Sequence, residues 1–203
     1  FLNSKTQLGK KKDFSEKPTP QEAEDAVRTL LRWAGDDPTR EGLLETPSRV
    51  IRAYEEWFAG YKLDPQKILE KTFEEVEGYS EMVTLTDIRF ESFCEHHLAP
   101  IIGNVHVAYI PNGKVIGISK IARLVDVFSK RLQVQEKMTS QIANALQKGL
   151  EPIGVGVLVE GEHHCMCTRG VHKVGSKMIS SAFTGDFLKK QGLRDDFYKF
   201  INK

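Results

Sequence analysis

No stretch of this 203-residue chain is apolar for long enough to cross a bilayer as a helix, and three cysteines are too few, and the wrong parity, for a disulfide framework. Charge of one sign is missing too. The 29 basic and 28 acidic side chains leave a formal net charge of +1, which excludes bulk attraction to nucleic acid or membrane as the chain's main business. Basic residues are not interleaved with aromatics as they are in nucleic-acid modules. The opening residues Phe1-Leu2-Asn3-Ser4-Lys5 lack the apolar centre of a signal peptide, and Lys10-Lys11-Lys12 stands where one would lie. These absences lead to the expectation of a soluble cytoplasmic protein with reduced thiols.

What is present is a 40% hydrophobic share, enough to build one core. Residues 1–18 are polar and lysine-rich and read as a flexible basic tail. A helical region is expected over 19–80. Thr19, Pro20 and Glu22 form a capping box with proline at the first helical position, and Ala23, Ala26, Val27, Leu30, Leu31 and Ala34 keep helical spacing until Gly35. Thr46-Pro47 repeats the start signal for a stripe of Val50, Ala53, Tyr54, Trp57 and Phe58 ending at Gly60, and Asp64-Pro65 opens a short third helix.

Over 81–203 the character changes. Strands are expected over 82–93 and 104–110, with Pro111-Asn112-Gly113 turning into 115–118. A helix capped by Ser119 and a second over roughly 133–150 follow, then strands over 154–159 running on toward Cys167 and over 176–183, and a last short helix. This order predicts an α+β fold: a four-stranded antiparallel sheet with one face covered by the helix pair. Such a sheet has two open edges, and a ring of subunits that continues it would pair them, so a homo-oligomer is expected.

The chemistry lies in Cys94-Glu95-His96-His97 and His163-His164-Cys165, which hold two of the three cysteines and four of the six histidines. Thiolate and imidazole are the donors zinc prefers, and three protein ligands leave the fourth position that a catalytic site needs. On an extended strand His163 and Cys165 share a face with Cys167, which makes Cys167 a rival ligand. His96 and His163 are the candidates for moving protons near neutrality. Ser119 and Lys120 at a helix start, with Arg123 and Arg169, could grip an anion. Glu136, beside Gln135, could accept the paired N–H donors of a guanine edge.

Four segments together resemble GTP cyclohydrolase I: Glu91-Ser92-Phe93-Cys94-Glu95-His96-His97-Leu98, the run from Ile110 to Lys120, Arg131-Leu132-Gln133-Val134-Gln135-Glu136, and the run from His163 to Gly170. The resemblance covers roughly 20–203 and implies the tunnelling (T-fold) architecture in a toroidal homodecamer. It implies conversion of GTP and water to dihydroneopterin triphosphate and formate, at the head of folate or tetrahydrobiopterin synthesis. It implies zinc on Cys94, His97 and Cys165, with Cys167 outside the ligand set, and His96 and His163 as proton shuttles. Guanine would be held by Glu136 with Gln135 beside it. The triphosphate would be gripped by Ser119, Lys120, Arg123 and Arg169, with Arg49 and Arg52 reaching in from a neighbouring subunit. Two rival readings are a different enzyme of the same fold, such as a pterin synthase or a deazapurine nitrile reductase, and a non-catalytic zinc-stabilised binding module.

Overall fold

The computed structural model describes residues 17–70, 72–74 and 78–202. The tail expected over 1–18 therefore lies, through residue 16, outside the described residues. The chain divides into two compact units, with the boundary between Glu55 and Glu56.

In the first unit, α1 (Pro20–Trp33) begins as its sequence dictates. The Thr19 hydroxyl accepts from the Glu22 N–H, and the Glu22 carboxylate accepts the Thr19 N–H in return. Gly35, at φ 94°, takes the left-handed conformation that ends the helix cheaply. No residue of α1 is buried, and Leu30 and Trp33 are exposed. Helix α2 (Thr46–Trp57) takes Thr46 and Pro47 into its first turn and carries Arg49 and Arg52 on its surface.

In the second unit, α3 (Pro65–Leu69) is capped by the Asp64 carboxylate, which accepts the Gln66 N–H. The main sheet has the order β5-β2-β3-β6-β7. Four of its strands are antiparallel neighbours: β2 (Val83–Cys94), β3 (Pro100–Ile110), β6 (Gly154–His163) and β7 (Lys177–Phe183). The fifth, β5 (Leu132–Gln133), lies parallel to the end of β2, pairing Phe93 with Leu132 and Cys94 with Gln133. It adds one short strand to the four expected.

One face of the sheet packs against α4 (Ile118–Ser129) and α5 (Gln135–Leu150). Val105, Val107, Val155, Val157 and Val159 meet Leu124, Ile142 and Leu146 there, all at most 1% exposed. Burying each such side chain contributes about 1.5–3 kcal/mol, so this helix pair on the sheet dominates the fold's stability. The opposite face is partly covered by α7 (Asp186–Lys189) and α8 (Gln191–Ile201), which bring Phe187 and Phe197 onto Ala108, Ile110 and Leu158. One terminal helix was expected and two short ones form.

Three local expectations are corrected. Ser119 is inside α4, whose cap is Gly117 with no side-chain cap bond. The strand expected over 115–118 shrinks to β4 (Val115–Ile116), which pairs with β1 (Thr72–Phe73) instead of joining the main sheet. Strand β6 stops at His163, and the chain turns at once into the single helical turn α6 (His164–Cys167).

In the antiparallel pair of β3 and β6, Gly103 faces Gly161, and a Cβ on Gly103 would come within 1.9 Å of the Glu160 carbonyl oxygen. The three nearest atoms are all backbone of Glu160 and Gly161, which cannot swing aside as a side-chain tip would. Gly103→Ala is therefore expected to lose about 3 kcal/mol in urea unfolding, the upper range of overpacking costs. Parent-like stability would show that the strands can part at this point.

Candidate metal centre and its surroundings

Strand β2 delivers Cys94, only 5% exposed, to the end of the sheet. The chain then closes a tight loop. Cys94 donates its N–H to the Ala99 carbonyl, His97 and Leu98 donate theirs to the Cys94 carbonyl, and Leu98 adopts a left-handed φ of 54° to complete the turn. Glu95 donates its N–H to the Gln133 carbonyl, which ties the loop to β5. This loop folds His97 back on Cys94, leaving Nδ1 3.8 Å from Sγ. His96 is also near, with its own Nδ1 3.8 Å from the same sulfur and its ring 6.3 Å from that of His97.

Cys165 arrives from β6. The register sets His163 against Ile101, next to the Phe93–Pro100 pair, so the turn after His163 lies over the Cys94 loop. Because α6 is helical, Cys165 does not share a strand face with Cys167. Cys94, His97 and Cys165 bring their ligand atoms within 4.8 Å of one another, and no fourth Cys, His, Asp or Glu atom joins them among the described residues. Cys94 is buried, Cys165 half-buried and His97 exposed. Two sulfurs and an imidazole open on one side fit a divalent ion of the zinc class.

The electrostatics agree with that fit. Burial pushes the Cys165 thiol up, and the adjacent Cys94 thiol pushes it further. Two neighbouring thiols resist ionising together, and a cation between them removes the conflict. Cys167 takes no part. Its thiol donates to the Lys173 carbonyl at 3.4 Å, and the same thiol beside the Glu162 carboxylate is the chief reason that group lies below the ordinary carboxylate range. Glu162 also accepts the Gly175 N–H, so Cys167 and Glu162 together tie down the loop after α6.

The other expected site residues fall into four groups. His163, Glu136 and Arg169 stand near the trio. The Glu136 carboxylate, exposed in the first turn of α5, raises the His163 pKa, but burial outweighs it and holds His163 below the usual range. Arg169 lies close enough to Cys165 to favour its thiolate.

Ser119, Lys120 and Arg123 lie elsewhere. They open α4, where Lys120 donates to the Ile68 carbonyl at 2.8 Å and Ile116 donates its N–H to the Tyr109 hydroxyl. Tyr109 is at the far end of β3 from Ile101, about 26 Å away at about 3.3 Å per residue. Helix α4 spans about 18 Å from that end back toward the site. One chain therefore does not bring these three residues to its own trio. Arg49, paired with Glu45, and Arg52 are exposed on α2 in the first unit.

Gln135 turns inward. Expected on guanine beside Glu136, it is 1% exposed, and its amide is fully engaged within the fold. The residues that hold it there, Thr139 and Ser180, were not foreseen. Thr139 follows Gln135 by one helical turn, which is a readable spacing, whereas Ser180 comes from β7 with no local signal.

Among the described residues, no helix is long and apolar enough to cross a membrane. A family profile described as GTP cyclohydrolase I matches residues 23–202. The protein named GTP cyclohydrolase 1 from Maricaulis maris (strain MCS10) is 60% identical over 187 residues, covering 92% of this chain and 91% of that protein. The one of the same name from Brucella canis (strain ATCC 23365 / NCTC 10854 / RM-666) is 58% identical over 185 residues, covering 91% and 87%. A solved structure of the archaeosine synthase QueF-Like in the apo form aligns with 51% of this chain and 93% of its own, at TM-score 0.43 and 24% identity, too loose a likeness to bear on the site.

Proposed function

The chain belongs to the GTP cyclohydrolase I family and is a hydrolase, and from that premise we propose that it converts GTP and water to 7,8-dihydroneopterin triphosphate and formate, with zinc on Cys94, His97 and Cys165. The observation that carries the reading is the three-donor group within 4.8 Å, open on the His97 side. Zinc bound there would supply hydroxide at neutral pH and act as the Lewis acid of the reaction.

The chain's own residues do the rest. Glu136 accepts the ring N–H and exocyclic amine of guanine, which turns the five-membered ring toward the trio. His96 gives a proton to the ring nitrogen that leaves as the carbon between the two ring nitrogens is hydrated. His163 takes and returns a proton as that carbon departs as formate. Two waters enter, and one leaves when the opened ribose closes onto the pyrimidine, so one water is consumed overall. The dihydropterin product suits the first step of folate synthesis. The ligand thiols must stay reduced to hold a metal, which supports a cytoplasmic location.

Phosphate binding by Ser119, Lys120 and Arg123 requires a second copy. The reacting carbon and the triphosphate of one GTP are separated only by the ribose, far less than the distance between α4's start and the trio of the same chain. That distance supports active sites built at subunit interfaces, with Arg169 from the metal-side chain and Arg49 and Arg52 completing the grip. Exposed Leu30 and Trp33 on α1, and the free edge that β7 offers in the tunnelling-fold sheet, support assembly into a ring, with a decamer as the full form.

The test of the activity is incubation with GTP, oxidation, and fluorescence detection of neopterin alongside a formate assay. Equal amounts of both are expected, lost on chelation and restored by zinc. Absence of pterin with turnover of a different substrate would overturn the reading. The shared site has its own test. Lys120→Ala and Cys165→Ala chains, each inactive alone, should regain about a quarter of parental activity when co-expressed, because random mixing leaves about one site in four with both intact halves. Mixed assemblies as inactive as either parent would contradict a shared site.

A further inference from the structure

Gln135 sits at the first position of α5, and every polar atom of its side chain has a partner. Its Nε2 has two hydrogens to share among three acceptors, the Val159 carbonyl at 3.1 Å, the Met178 carbonyl at 3.0 Å and the Ser180 hydroxyl at 3.1 Å. Its Oε1 lies 2.9 Å from Nε2 of His163. Two backbone carbonyls accept only, so the amide nitrogen must face them and the amide cannot be turned over. The oxygen then faces His163 and can only accept. Nε2 of His163 must therefore carry the hydrogen.

The remaining protons fall into place around that assignment. With the Thr139 hydroxyl donating to the backbone carbonyl of Gln135 at 2.7 Å, Ser180, 2.7 Å from Thr139, is the donor in the hydroxyl pair and keeps its lone pairs for the Gln135 amide. Turning the Gln135 amide over would set its oxygen against two backbone carbonyls and leave buried polar groups unpaired, each at a cost of about 1–3 kcal/mol. Gly161 provides the space: a Cβ there would come within 2.7 Å of the Gln135 Oε1.

We infer that Gln135 is a positioning residue that holds neutral His163 in the Nε2–H tautomer, leaving Nδ1 as the one ring atom able to take a proton from the reacting nucleotide. The inference rests on the proposed function for the role of His163 and on the hydrogen-bond network alone for its tautomer. Gln135 is thus reassigned from holding guanine to orienting the base that serves it.

The test reads the tautomer without turnover. Magic-angle-spinning NMR of the zinc-loaded, 15N-histidine-labelled protein, with His163 assigned by its loss in His163→Gln, should show a protonated Nε2 and an unprotonated Nδ1 in the neutral ring. The opposite tautomer in the parent protein overturns the inference, whether or not the protein proves to be a cyclohydrolase. In steady-state kinetics with GTP, Gln135→Leu should lower kcat about 10- to 100-fold, as loss of a residue orienting a site ligand does, with KM within about twofold. A rise in KM at unchanged kcat would instead mark Gln135 as a guanine contact and refute the assignment. Should the buried leucine prevent folding, Gly161→Ala displaces the same oxygen while keeping the amide. It should lower kcat and mix the two tautomers, and an unchanged ring spectrum with unchanged kcat would count against the inference.

Discussion

Cys165→Ala is expected to lose its zinc and its activity together, with neopterin formation down at least about a thousand-fold and metal content near zero after dialysis. The expectation follows from the geometry. Three donors share one point, with no fourth protein donor beside them among the described residues to take the place of a lost one. With one sulfur gone, Cys94 and His97 are a two-ligand pair on a loop whose other side is exposed, and such a pair holds zinc weakly. Cys167, the nearest remaining thiol in sequence, is buried and bound to the Lys173 carbonyl, so it is not free to substitute. Cys167→Ser provides the contrast: it should keep zinc and most activity. Metal analysis by mass spectrometry on both variants, beside the GTP assay, separates the cases. Full zinc occupancy and turnover in Cys165→Ala would remove that residue from the site.

The second large effect concerns His96. Replacing it with alanine should leave zinc bound and KM for GTP nearly unchanged while kcat falls by about a hundred- to ten-thousand-fold, the range for loss of a general acid. His96 stands as close to the Cys94 sulfur as His97 does, yet only His97 also reaches Cys165. Its position beside the metal rather than on it makes the two histidines separable by experiment. His97→Ala should lose metal and rate, whereas His96→Ala should lose rate alone. Loss of zinc from His96→Ala would exchange the two assignments.

How far these residues could be read without coordinates depended on whether their signals were local. The Thr19–Glu22 box, the Gly35 stop and the Asp64 cap are short-range hydrogen-bond patterns, and each forms as its residues dictate. The pairing of Cys94 with His97 across two residues belongs to the same class, because one tight loop makes it. Cys165 joins them by a route other than the expected one. The strand was expected to run through it, but β6 ends at His163, and the cysteine reaches the site on a helical turn.

Long-range placement was less legible. The strand segment at 115–118 carries the β-branched and apolar residues of a sheet member, yet β4 pairs with the distant β1, a choice that no local pattern encodes. Gln135 is polar, adjacent to Glu136 and at a helix start, all of which point outward to a ligand. Its inward aim depends on Gly161 and Ser180, contributed by two other strands. The separation of Ser119, Lys120 and Arg123 from the trio is a property of the sheet's length and had no counterpart in the motifs themselves.

Zinc K-edge X-ray absorption on the purified protein tests the central claim most directly. Two sulfurs at about 2.3 Å and two lighter atoms at about 2.0–2.1 Å are expected, with only one of the lighter atoms giving the outer-shell signature of an imidazole and the other belonging to solvent. A third sulfur, a second imidazole or a protein preparation that binds no zinc at all would contradict a three-ligand site with one open position, and the proposed hydrolysis with it.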